Sequence, residues 1–133
     1  MERRWTASAI AALRERERLP FVRADANGDV VEISPRFTEV YGWTEEELIG
    51  ESLGRIMPPE FRELHHAGFA RFRMTEVSRV LDHPLRLATF RVDGTSVISE
   101  HYIVAEQAGD TGVWSFAATL RPLEGEHAMP EDV

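Results

Sequence analysis

The chain has 133 residues, enough for one domain around one core, and 43% of them are hydrophobic. A net charge of −8 argues against nucleic acid as a partner, because phosphates need a basic face. No apolar run approaches the roughly 20 residues of a membrane span. With no cysteine, disulfides, thiolate nucleophiles and Cys-ligated metals are excluded.

The first segment, "MERRWTASAIAALRERERL", lacks the apolar core of a secretory signal, and the absence of cysteine fits an expectation of a cytoplasmic protein. Residues 3–18 have near-helical apolar spacing at Trp5, Ala9, Ile10 and Leu13, ending in the charged "RERER". An amphipathic cap helix is expected over 1–18, lying on its own domain or pairing two copies. "FVRAD" and "DVVEIS" flank Asn27-Gly28, a hairpin signal because both residues tolerate positive φ. Ser34-Pro35 offers an N-cap and a first-turn proline for "PRFTEVYG". Thr44 and Glu47 form a capping box for "EEELIG", with Gly50 as the stop. A short turn, "SLGRIM", leads to Pro58-Pro59 and a longer helix to about Met74. The second half reads as strands: "HPLRLATFRV" and "SVISEHYIVAEQ" around Asp93-Gly94, then "GVWSFAATLRPL". The tail, residues 122–133, is acidic and expected to be disordered. Antiparallel strands with helices gathered between two hairpins give an α+β class.

Two histidines stand out. On the helix "MPPEFRELHHAGFARF", His65 falls in the apolar stripe with Phe61, Leu64, Phe69 and Phe72, and His66 turns toward water. Gly68, one turn on, removes a side chain from the inner face. It leaves room for a ligand or for close helix–sheet packing. Along "SVISEHYIVAE" the smaller, more apolar set Val97, Ser99, His101, Ile103 and Ala105 is expected inward. Either Leu85, Leu87 and Thr89 or Arg86, Ala88 and Phe90 share that face, since a one-residue slip reverses a strand. His83 reads as a loop or strand-edge residue and His127 as an inert tail residue.

"ANGDVVEISPRFTEVYGWTEEELIGESLGRIMPPEFRE", with "FRVDGTSVISEHYIVAEQ" and "VWSFAATL", resembles a PAS domain over residues 19–121. One departure is Ser34, where many members carry Asn. The resemblance implies a five-stranded antiparallel sheet cupping helices on one face, and a sensor or interaction module rather than an enzyme. "MPPEFRELHHAGFARF" is similar to the helix carrying the axial histidine of oxygen-sensing haem PAS domains. That resemblance implies haem b with His65 as the metal ligand, and Gly68 and Phe69 beside it. The arginine that stabilises oxygen in those sensors falls on Leu85, with Arg86 adjacent. Their distal aliphatic pair falls on His101 and Ile103. The distal side would therefore differ, leaving His101 to bond a gas ligand or to serve as a second axial ligand.

The absence of cysteine excludes the photoadduct and thioester chemistry of cysteine-bearing PAS photosensors. No phosphate loop is present, and adjacent His65-His66 face apart, unlike a zinc helix. The expected function is a sensory, ligand-binding module, with a small-molecule ligand, a homodimer through the N-terminal helix and a separate output protein. A haem-free module that binds another molecule or serves dimerisation is the alternative. A small isomerase-like α+β enzyme using His101 or His65 as base stands as the reading from another class.

Overall fold

The computed structural model describes residues 9–57, 84–107 and 110–129. The expected helix from Pro58 to about Met74, with His65, Gly68 and Phe69, lies outside the described residues. Elements follow in the expected order: α1 (Ala9–Arg14), β1 (Phe21–Ala24), β2 (Val30–Ile33), α2 (Pro35–Tyr41), α3 (Glu45–Leu48), a 3₁₀ turn (Leu53–Ile56), β3 (Pro84–Phe90), β4 (Ser96–Gln107) and β5 (Trp114–Pro122). The strands form one antiparallel sheet in the order β2-β1-β5-β4-β3. This is the α+β arrangement expected from the sequence.

Local chemistry explains the short elements. Ser34 Oγ accepts from the Phe37 amide at 3.2 Å, capping α2, and Pro35 occupies the first turn without losing a needed donor. The α3 capping box forms as read: Thr44 accepts from the Glu47 amide, and Glu47 accepts from the Thr44 amide at 2.9 Å. The first hairpin is wider than a two-residue Asn-Gly turn. Asp25 Oδ1 accepts from the Asn27 and Asp29 amides at 2.9 and 3.1 Å, and the register shifts between Arg23 and Ala24.

The sheet has two covered faces. On the inner face, Val22, Val30, Ile33, Val97, Ala118 and Leu120 pack against Phe37, Val40 and Tyr41 of α2, Trp43, Leu48 of α3 and Ile56. On the outer face, Ile10 and Leu13 of α1 bury against Phe21, Val104 and Ala117. The described part of the N-terminal helix therefore lies on its own domain. Arg14 pins it there. Its guanidinium reaches both Glu32 oxygens at 2.9 Å, and Arg23 Nε meets Glu32 Oε1 at 2.9 Å. These bonds, that to Arg14 first, hold the Glu32 carboxyl below its ordinary pKa.

Residues 123–129, expected as the start of a disordered tail, turn back on β5. The Met129 amide donates to Pro122 O at 2.9 Å, and Glu124 accepts from the Ile98 amide at 3.0 Å. Arg121 supplies the reason. It is 8% exposed on the outer face, pairs with Glu100 at 3.0 Å, and donates from Nη1 to Met129 O at 2.9 Å. A guanidinium this buried needs acceptors, and the returning backbone provides one.

Candidate functional site

The β3–β4 register decides the inner face. Leu85 lies opposite His101, Leu87 opposite Ser99 and Thr89 opposite Val97, so these three β3 residues share the face of His101. Arg86 goes to the opposite, exposed face. The connecting loop sets this pairing. The Arg91 amide donates to Thr95 O at 2.7 Å, Asp93 Oδ1 accepts from the Thr95 amide at 2.9 Å, and Gly94 takes φ 91°. Across the sheet, Leu120 of β5 also stands opposite His101, and Ala118 opposite Ile103. His101 is thus an imidazole between two leucines.

Its nitrogens have definite roles. Nδ1 lies 3.1 Å from Ser99 O, which can only accept, so Nδ1 carries the proton. In the neutral ring Nε2 is then an acceptor. It faces Thr89 Oγ1 at 3.4 Å, longer than a well-formed hydrogen bond. Burial disfavours the charged form and pushes the His101 pKa down to about 4, against a smaller opposing effect from the Ser99 carbonyl. Ser99 extends the polar run on its other side: its Oγ is 2.6 Å from the Tyr41 hydroxyl. Burial also raises the Tyr41 phenol to about 12.

Tyr41, Gly42 and Trp43 clamp the β3–β4 hairpin over this site. The Val92 amide donates to Tyr41 O at 2.9 Å, and Trp43 Nε1 donates to Phe90 O at 3.0 Å. Gly42 ends α2 at φ 85°, and a Cβ there would stand 2.6 Å from Val92 Cγ1. Glycine is required twice over, for backbone and for space.

Of the residues singled out by sequence, the structure brings His101, Leu85 and Ile103 together on one face. His65, Gly68 and Phe69 lie outside the described residues. Thr89, Ser99 and Tyr41 were not anticipated as a unit. Ser99 was visible in the inward set, but Tyr41 lies 58 positions away in sequence and no local pattern joins them. Leu85, Leu87 and Ile103 remain half-buried. The inner-facing residues described on β3, β4 and β5 carry no charged side chain. Among the described residues no group of three or more His, Asp or Glu could hold a metal ion, and no helix is long and apolar enough to cross a membrane.

Solved structures share this architecture. The PAS domain of an HTR-like protein from Haloarcula marismortui superposes with TM-score 0.61 at 22% identity, covering 86% of this chain and 89% of its own. A light-oxygen-voltage domain studied with a flavin analogue gives TM-score 0.64 at 20% identity, covering 94% and 87%. A PAS domain from Colwellia psychrerythraea gives 0.66 at 14%, covering 85% and 96%. No curated protein sequence matches the chain. The sequence profile of the PAS fold matches residues 17–104. The chain belongs to the PAS family.

Proposed function

We propose that this PAS domain is a sensory module that takes a small, largely apolar molecule on the inner sheet face around His101 and passes its state to a separate output protein. One observation carries the reading: among the described residues of β3, β4 and β5, the inner face has no charged side chain, and half-buried Leu85, Leu87 and Ile103 surround the neutral imidazole of His101. The light-oxygen-voltage relative, studied with a flavin analogue, supports a flat organic ligand as the kind such a fold accommodates.

Haem b is the specific ligand to which the His65 resemblance points. The described inner face suits the flat apolar macrocycle. His101 has Nδ1 on Ser99 O and Nε2 toward Thr89, and the residue that would hold the iron is His65, as the resemblance implies. Bound haem would supply an iron centre for gas or redox sensing. The test is an absorption spectrum of the protein as purified and after addition of hemin. A Soret band that disappears in His65→Ala is expected. Colourless protein that takes up no hemin removes haem and leaves the haem-free module.

The isomerase alternative needs a base active near neutral pH. Burial lowers the His101 pKa to about 4, which makes it a weak base there, and His65, the other candidate base, lies outside the described residues. Self-association through the N-terminal helix would have to use side chains other than Ile10 and Leu13, which are buried within the chain. Sedimentation of the full chain and of a chain lacking residues 1–18 tests that interface.

A further inference from the structure

The inner face carries a specificity element of its own. The Nδ1–H of His101 is committed to Ser99 O, which orients the ring and makes Nε2 the accepting atom. The only hydroxyl reaching Nε2 among the described residues is that of Thr89, at a slack 3.4 Å. His101 is 9% exposed and Thr89 1%, so both are buried polar groups, while Leu85, opposite His101 across the β3–β4 pair, is half-buried. Leu85 and Leu120 flank the ring in its cross-strand row, and no charged side chain described on these strands shares the face. Among the described residues of β3, β4 and β5 no inner-facing cation stands ready for an anionic ligand, and a purely apolar one would leave Nε2 with its poor existing bond. A ligand donor at normal hydrogen-bond distance would improve on Thr89.

We propose that His101 Nε2, backed by Thr89, anchors uncharged aromatic or aliphatic ligands that carry a single O–H or N–H donor. This rests on the haem-free reading of the inner face as the ligand site, and names the chemistry that site selects.

Phenol, toluene and benzoate are suitable probes, titrated into the full-length protein with the histidine ring nitrogens and backbone amides followed by NMR. Phenol should bind about tenfold more tightly than toluene, the ratio expected of one net hydrogen bond. It should shift the His101 Nε2 resonance, and benzoate should bind more weakly than either. In Thr89→Val, where Nε2 loses its internal donor, the phenol-to-toluene ratio should rise. In His101→Phe it should fall to about one. Phenol and toluene binding equally well to the wild type, or a ratio unmoved in both variants, overturns the anchor and leaves ligand binding on this face standing. Failure of every probe to move any inner-face resonance overturns both.

Discussion

The buried imidazole makes stability depend on acid in a calculable way. His101 titrates near 6.5 when unfolded and near 4 in the folded chain. The folded state thus binds fewer protons across that interval, and acid favours unfolding. The contribution is whole above about pH 6.5 and is lost as pH falls toward 4. Linkage puts the loss at about 2 kcal/mol by pH 5, rising to about 3 kcal/mol at pH 4. The measurement is taken as a difference between two chains. Urea unfolding of wild type and His101→Gln is followed at several pH values from 7 to 4. Absolute stabilities will differ because glutamine packs differently; the informative quantity is the change with pH. Wild type should lose about 2 kcal/mol more than the variant between pH 7 and 5. Parallel losses in the two proteins, or an NMR titration of His101 near 6.5 in the folded chain, would refute the assignment of a buried neutral ring.

Three further outcomes follow from single contacts. Tyr41→Phe removes the 2.6 Å bond to fully buried Ser99 and should cost about 1–3 kcal/mol in urea unfolding, whereas an unchanged midpoint would mean that the hydroxyl is satisfied elsewhere. Gly42→Ala should cost about 2 kcal/mol or more, because it combines a strained φ of 85° with a contact at 2.6 Å; Val92→Ala in the same chain should restore part of the loss, and no restoration would show that the backbone alone is responsible. Glu124→Ala should leave global stability within about 1 kcal/mol yet speed hydrogen exchange at the Ile98 amide, and an unchanged exchange rate would argue against the returning C-terminal segment.

Much of the fold is local, and to that extent the sequence by itself determined it. Ser34-Pro35 and Thr44-x-x-Glu47 place the starts of α2 and α3 through bonds spanning three residues, and period-two alternation in β4 assigns Val97, Ser99 and His101 inward. The PAS resemblance rested on the same segments, and Tyr41-Gly42-Trp43 proves to be a clamp on the β3–β4 hairpin. Only the tertiary structure decided which face of β3 joined His101, because the answer hangs on the register of a hairpin and a slip of one residue exchanges Leu85 for Arg86. It also decided that His101 is neutral, that its Nε2 looks toward Thr89, and that Ser99 answers to Tyr41. Each of these depends on groups 12 to 58 positions apart in the chain, brought together by packing that no short stretch of sequence encodes. The acidic tail shows the same division. Its composition reads as disorder, yet Arg121, buried by the sheet, needs acceptors and draws Met129 back to it.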